Sequence, residues 1–570
     1  MADLLHVDLT QRTVTRNALA AEHEMLGGHA LSSAIVAREV DPKADPLGPD
    51  NVLVYAAGIL AGTAIPNTGR LSVGAKSPLT GGIKEANSGG AAAQKLARLG
   101  LRGIKVTGRA DSLSVLEVNA DGGRLVPAAE LTGLGTRETV QRLRERYGDG
   151  VAIVCTGPAG ELLFKASAIV VTSPDFRLRT AARGGLGAVM GAKNLKALVI
   201  DDAGGSGVTA ADPASLKTAA VGLTKGIRSH PAMVALEALG TPFLVNVANG
   251  LGCLSTRNFS AGQFESVEAI SGEHMVEVMA GRPNASPKHS CMTGCVVRCS
   301  QVYTDEDGSE ITSGFEYETL GLLGANCGIS DLDQLARIDR LCDDLGLDTM
   351  EVGTAAGVAM EAGLLPWGDG AAVHELLSKV TAGDANAALI ANGCASTGAA
   401  LGALRIPAVK GQGMPAWEPR VLKGTGVTYA TSPQGADHTA GNALPSPVNP
   451  DYDPSSPTGQ DQMSQFLQAY FAAIDSLGFC LFPSLAALDM PELQGHLVSA
   501  VAAFTGEELP ADYLITLGTQ VVTLEKDYNR RAGFTSADDR LPAFMVRESL
   551  PPGGNQFDVS EADLDGVFAS

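Results

Sequence analysis

The sequence predicts an α+β protein with a β-rich N-terminal domain followed by two mainly α-helical domains. Three observations carry this. The first 200 or so residues hold short β-branched runs broken by glycines: NVLVYAAGIL, GIKVTG, SLSVLEV, VAIVCTG, FKASAIVVTS and LKALVI. After the linker-like DDAGGSGVTAADPAS (201–215), apolar residues recur at helical spacing, as in SDLDQLARIDRLCDDLG and MSQFLQAYFAAIDSLG. A Pro/Gly/Asn-rich stretch near 405–460 separates the two helical blocks. The expected domains are therefore 1–205, 206–405 and 406–570.

Composition narrows the function classes. The 570 residues are 45% apolar and 18% charged, as in a globular protein. Acidic residues outnumber basic ones 63 to 42, and a net charge of −21 argues against nucleic acid or an anionic membrane as partner. The opening MADLLHVDLTQRTVTRNALA lacks a signal-peptide pattern, and no run of apolar residues is long enough to predict a membrane span. Nine cysteines in so long a chain are no disulfide framework, and the clustering of three of them points to metal binding in a reducing compartment, so the cytoplasm is expected. No short solenoid-type repeat is visible. The 68 glycines predict many close backbone approaches, notably in the Gly-rich stretches 69–90 and 183–197.

In HSCMTGCVVRCS (289–300), Cys291, Cys295 and Cys299 are each separated by three residues. A four-thiolate site holds an iron–sulfur cluster or a structural zinc. Zinc knuckles favour Cys-x-x-Cys pairs, and the Cys-x-x-x-Cys-x-x-Cys radical pattern fails at its last interval. An iron–sulfur site is favoured over zinc or unliganded thiols. The fourth ligand comes from elsewhere, with Cys155, Cys253, Cys327, Cys342, Cys394 and Cys480 available.

A second pattern singles out Cys480. DSLGFC (475–480) matches DDLGLD (343–348), and each follows an amphipathic helix. Leu335, Ile338, Leu341 and Leu345 form one stripe; Phe466, Leu467, Tyr470, Phe471 and Ile474 form the other. Gly346 and Gly478 read as left-handed helix stops. Asp343 and Asp475 then sit in the last turn, against the helix dipole, at a cost of about 0.3–1 kcal/mol each. A carboxylate only accepts hydrogen bonds, so a matched pair suits the donor edges of two guanine-like heterocycles. Beside a cysteine cluster, that suggests a bis-pterin metal cofactor next to an iron–sulfur centre.

These residues and others resemble a known family. The chain resembles the tungsten- and molybdenum-dependent aldehyde:ferredoxin oxidoreductases almost end to end. The matching runs are VLVYAAGILAGTAIPNTGRLSVGAKSPLTGGIKEANSGG, GPAGE, RTAARGGLGAVMGAKNLKA, FEYETLGLLGANCGISD, CDDLGLDTMEVGT, AIDSLGFCLF and DYNRRAGFTSADDRLP. The resemblance implies a tungsten (or molybdenum) bis-pterin cofactor, its phosphates bridged by Mg2+, and one [4Fe–4S] cluster. It implies Cys291, Cys295, Cys299 and Cys480 as cluster ligands. Asp343 and Asp475, in loops that also carry Gly346, Leu347, Gly478 and Phe479, become the pterin-edge carboxylates, with Asp348 as the counterpart of Cys480. Arg70 matches the arginine touching both cluster and pterin. Asn87 and Thr180, the latter where the family often has alanine, match the carbonyl donors to magnesium. Gly89, Gly90, Gly184, Gly185 and Gly187, with Arg183 beside them, are expected to let backbone N–H groups approach phosphate. Glu318 matches the glutamate beside the metal, Tyr317 its neighbour, and His438 the histidine that exchanges protons there.

The implied reaction is oxidation of an aldehyde to a carboxylic acid, with electrons passing to ferredoxin or an Fe–S partner subunit. Without the resemblance, Glu316 and Glu318 read as solvated positions on a strand, and His438 and Arg70 as surface residues. Two departures stand out. Met292, Thr293 and Gly294 separate the first two cluster cysteines, where the family commonly has two residues, and Gly294 would help loop out the extra one. Arg337 and Arg340 occupy positions where some members carry iron-binding Glu and His, so any homodimer is expected to lack a bridging iron. The alternatives are a reductase of an aromatic CoA thioester or other non-aldehyde substrate on the same metal core, and a zinc-stabilised scaffold without catalysis.

Overall fold

The computed structural model describes residues 2–446 and 452–569. Twelve strands build the N-terminal part: β1 (Asp3–Asp8), β2 (Thr13–Ala18), β3 (Leu53–Ala57), β4 (Leu71–Lys76), β5 (Ile83–Ser88), β6 (Leu101–Thr107), β7 (Ser114–Asn119), β8 (Gly122–Pro127), β9 (Val151–Thr156), β10 (Ile169–Thr172), β11 (Leu178–Ala181) and β12 (Leu195–Asp201). They form two six-stranded sheets, ordered β2-β1-β6-β3-β4-β5 and β8-β7-β12-β9-β10-β11. The second order is the first with every strand advanced by six. In each sheet only the β1–β6 or β7–β12 pair is parallel; every other pair is antiparallel. The two halves are therefore structural repeats, which no short sequence period announced. Leu5, Val73 and Ile104 from one sheet share a core with Leu116, Val154 and Leu198 from the other, and the outer strands β5 and β11 lie against each other.

The stretch 69–90, expected as a Gly-rich connection, holds both β4 and β5, because its apolar and small residues are buried on both faces. Of 183–197, residues Leu186–Ala192 are helical.

Six helices position the site: α1 (Gly28–Glu39), α2 (Leu332–Leu345), α3 (Thr349–Glu361), α4 (Gln460–Leu477), α5 (Leu481–Asp489) and α6 (Tyr513–Ala532). Asp331 starts α2 by accepting from the N–H groups of Asp333 and Gln334 at 2.9 and 3.0 Å. Leu335, Ile338, Cys342 and Leu345 are its buried stripe. Along α4, Leu467, Tyr470, Phe471 and Ile474 are buried, but Phe466 is 40% exposed and falls outside the stripe. Gly346 (φ 72°) and Gly478 (φ 72°) end α2 and α4 in the left-handed region, as expected.

FEYETL is not a strand. Tyr317–Thr319 is a helical turn running into a π-helical segment, Leu320–Gly324. Phe315, Tyr317 and Thr319 are buried and Glu316 and Glu318 only partly so, an alternation that a helical turn carries here instead of a strand. Among the described residues no single helix is long and apolar enough to cross a membrane.

Candidate active site

The repeat extends from the sheets to the loops that meet them. After β3, Gly58 presses on Gly478: a Cβ there would fall 2.1 Å from the Gly478 nitrogen. After β9, Gly157 presses on α2's end, where a Cβ would fall 2.3 Å from the Leu345 oxygen. Arg70 N–H donates to Gly478 C=O at 3.2 Å; in the other half Ala168 N–H donates to Gly346 C=O at 2.8 Å. Cys480 N–H donates to Asn67 C=O and Asp348 N–H to Ala166 C=O, both at 2.9 Å. The helix ends match too, since Gly346 and Gly478 each cap the carbonyl three residues back, Asp343 and Asp475, at 3.1 Å. Asn87 and Thr180 are the penultimate residues of β5 and β11. Pairs the sequence matched by motif are thus matched in space, on either side of one cavity of about 320 Å³.

That cavity is lined by Glu318, His438, Tyr317, Arg70, Asn87, Gly89, Thr180, Arg183, Asp343, Leu347, Asp348, Asp475, Cys291, Cys295, Cys299 and Cys480. Gly90, Gly184, Gly185, Gly187, Gly346, Gly478 and Phe479 do not line it. Their packing explains the glycines by protein contacts. A Cβ at Gly184 would fall 2.4 Å from the Lys84 side chain, and one at Gly185 2.5 Å from the Lys165 oxygen. Gly187 N–H already donates to Ser167 C=O at 3.2 Å, so it is not free for phosphate. At Gly89 a Cβ would sit 2.9 Å from Cys291 Sγ, so this glycine admits the cysteine loop.

Of the six cysteines outside the cluster, Cys480 alone lines the cavity; the other five are fully buried elsewhere. All four lining thiols are free. Burial pushes Cys291 up to about 12 and raises Cys299 and Cys480 as well. Thiolates here need a compensating cation. Asn67 Nδ2 donates to Cys295 Sγ at 3.4 Å, and Arg298 N–H does so at 3.3 Å. Gly294 takes φ 77°, and its carbonyl accepts from Asn67 N–H, which accommodates the extra residue. Arg70 donates through Nη2 to Asn87 C=O at 3.0 Å. Burial opposes its charge, but Cys480, Asp475 and Cys291 outweigh that and raise it.

Asp343 and Asp475 face the cavity, and no protein donor bonds either carboxylate among the described residues. Burial raises both, Asp475 to about 8. An unpartnered carboxylate facing a cavity is costly, and a ligand bearing N–H donors would satisfy each. Asp348 is engaged instead: it caps α3 through Met350 N–H at 3.0 Å and lies 3.4 Å from Arg183 Nε.

On the cavity's other wall, Glu318 Oε2 accepts from Ala416 N–H at 2.8 Å, while Oε1 has no hydrogen-bond partner among the described residues. His438 Nε2 is 3.5 Å from that Oε1, and His438 Nδ1 is unpartnered. Burial raises the Glu318 carboxyl, with His438 opposing. Tyr317 OH donates to Ala416 C=O at 3.2 Å, and its ring packs 4.4 Å from that of Trp417. Glu316 faces the cavity and accepts from Thr241, so neither glutamate is a solvated strand position.

Two family models match: aldehyde ferredoxin oxidoreductase, N-terminal domain, over residues 4–202, and domains 2 and 3 over residues 219–568. The chain belongs to the aldehyde ferredoxin oxidoreductase family. It is 33% identical to the tungsten-containing aldehyde ferredoxin oxidoreductase of Pyrococcus furiosus over 93% of this chain and 88% of that one. To the WOR-like subunit of aliphatic sulfonate oxidoreductase from the same organism it is 27% identical, over 78% and 75% of the two chains. In three dimensions it is similar to the active-site complex BamBC of benzoyl coenzyme A reductase with 1,5-dienoyl-CoA. That likeness has a TM-score of 0.81 at 20% identity and covers 99% of this chain and 93% of that one.

Membership in the aldehyde ferredoxin oxidoreductase family implies a tungsten–pterin group, and the donor set fits one. Two unpartnered carboxylates on repeat-related helix ends match two donor edges, and four free thiols stand beside one of them. Residues that motif reading passed over complete the walls. Asp339 lies one helical turn before Asp343 and is raised by burial to about 7; a carboxylate at i−4 on the same face was a readable signal. Asp437, adjacent to His438, binds Lys84 Nζ at 2.8 Å. Trp417 left no trace in the sequence. Arg340 pairs with Asp344 at 2.8 Å.

Proposed function

We propose that this family member oxidises aldehydes to carboxylic acids on a tungsten (or molybdenum) bis-pterin group. Electrons would leave through one [4Fe–4S] cluster to ferredoxin or an Fe–S subunit. The observation that carries the reading is the convergence in one cavity of four thiols, two unpartnered carboxylates and the Glu318–His438 pair. Asp343 and Asp475 would accept from the pterin edges, Asn87 and Thr180 would offer carbonyls to Mg2+, and Cys291, Cys295, Cys299 and Cys480 would hold the cluster.

When bound, the metal–pterin group supplies a Lewis acid and a two-electron sink. Converting an aldehyde to an acid adds a water oxygen and releases two electrons and two protons. Glu318 Oε1, unpartnered and with a raised proton affinity, takes the proton from water. His438 Nε2, 3.5 Å away, relays it. Tyr317 and Trp417 form an apolar wall that limits water and orients the substrate against Glu318.

The test is elemental analysis of anaerobically purified protein followed by viologen-linked assays with aldehydes. About four irons and one tungsten or molybdenum per chain, with aldehyde turnover, support the proposal. Binding of CoA thioesters without aldehyde turnover would replace the substrate. Zinc without tungsten, molybdenum or iron would overturn the enzyme reading.

A further inference from the structure

We propose that His29 is a cofactor-positioning residue: anchored on Glu525, it stands behind Asp475 and holds that carboxyl toward one pterin edge. This rests on the tungsten–pterin reading above.

Helix α1 begins against the Asp475 loop. A Cβ at Gly28 would fall 2.1 Å from the Asp475 oxygen, and Ala30 N–H donates to Ser476 Oγ at 3.0 Å. Between them, His29 is buried and directed inward, its Nε2 2.7 Å from Glu525 Oε1 on α6. The same oxygen accepts from Ser33 Oγ at 2.6 Å and Gln434 Nε2 at 2.7 Å, so Glu525 is rigidly fixed. A ring nitrogen of His29 and carboxylate oxygens of Glu85 and Asp475 all lie within 4.8 Å of one another. Between them is a small void of about 20 Å³, room for one water. His29 Nδ1 and Glu525 Oε2, both buried, have no hydrogen-bond partner among the described residues.

The charges around His29 leave it this task. Glu525 faces it from α6, Asp475 from α4, Lys84 and Glu85 from β5, and Asp437 from the loop before His438. Lys84 is bound to Asp437 and Arg70 to Asn87. Burial opposes protonation of His29, but Glu525 and Glu85 outweigh it and raise the imidazole to about 9. Burial and Glu85 push Asp475 up, and His29 is the first group to counter them. At Asp343, the repeat-related carboxylate, the groups that counter burial are instead Arg137 and Arg179. Asp339, one turn earlier on the same helix, adds to burial in raising it. The repeat thus supplies equivalent positions with unequal electrostatics.

The experiment uses the full chain purified without oxygen, as wild type, His29→Gln, His29→Arg and Glu525→Gln. Tungsten, molybdenum and pterin per folded chain are measured after exhaustive dialysis, with circular dichroism to confirm folding. A charge-assisted contact replaced by a neutral one costs about tenfold in affinity. His29→Gln and Glu525→Gln are therefore expected to retain roughly a tenth of the wild-type cofactor, and His29→Arg to restore it. Wild type is expected to lose cofactor as pH rises through about 9, and His29→Arg to keep it. Should the arginine variant not fold, the wild-type pH series against His29→Gln decides. Equal loading of wild type and His29→Gln, with the same pH profile, overturns this inference alone. Wild type without tungsten, molybdenum or pterin overturns it together with the proposed function.

Discussion

Glu318 Oε1 stands 3.5 Å from His438 Nε2, and each residue keeps one polar atom without a protein partner. The two come from different helical turns, Tyr317–Thr319 and His438–Ala440. Buried polar groups are normally satisfied, so unsatisfied atoms that face a cavity are held ready for a ligand or a proton.

If Glu318 is the base, Glu318→Gln should lower kcat by about 10²–10⁴-fold while the protein still folds and binds cofactor. Because burial raises this carboxyl above its usual range, the wild-type rate should fall as pH drops through that raised value. Steady-state rates from pH 4 to 9, at about unit intervals, check both; a glutamine variant of near-normal rate would remove Glu318 from the mechanism.

Cys480→Ala removes one of the four free thiols from the cavity. Iron per chain should fall well below that of wild type, and the low-temperature EPR signal of a reduced cluster should be lost or altered. Cys342→Ala, a buried cysteine away from the cavity, should leave iron content unchanged.

Gly58→Ala and Gly157→Ala place a Cβ 2.1 and 2.3 Å from backbone atoms of the two aspartate loops. Backbone cannot yield as a side-chain tip can, so each should destabilise by about 1–3 kcal/mol and reduce cofactor content. Gly495→Ala, on a helix with nothing near the new Cβ, should be neutral or stabilise by about 0.5–1 kcal/mol. Thermal melts and metal analysis separate the three.

Asp339 is raised by burial to about 7 from 3.8. Its contribution to stability is present below the unfolded value and is lost as pH rises through 7. In cofactor-free protein, Asp339→Asn should therefore gain on the order of 2–4 kcal/mol relative to wild type above neutrality and little at pH 4. Denaturant melts at the two pH values measure this; equal differences at both would refute it.

Helix ends were legible because glycine stops and apolar stripes are local. Gly346 and Gly478 take the conformation their place in the sequence demanded. Phe466 was misplaced because a helical stripe is wider than the face a neighbour covers. FEYETL, whose burial does alternate, is helical because so short an alternation also fits a single helical turn, and β4 and β5 were hidden because small residues buried on both faces do not alternate.

The sequence by itself determined the fold class, the paired helix stops with Asp343 and Asp475, the cysteine cluster, and the likeness to its family. These depend on residue type and short spacing. Tertiary structure alone decided that the two sheets are repeats and that His29 and Glu525 stand behind Asp475. Those relations join distant segments of the chain. They arise from which backbones can approach closely and which charges must be buried together, and neither is written in any short stretch.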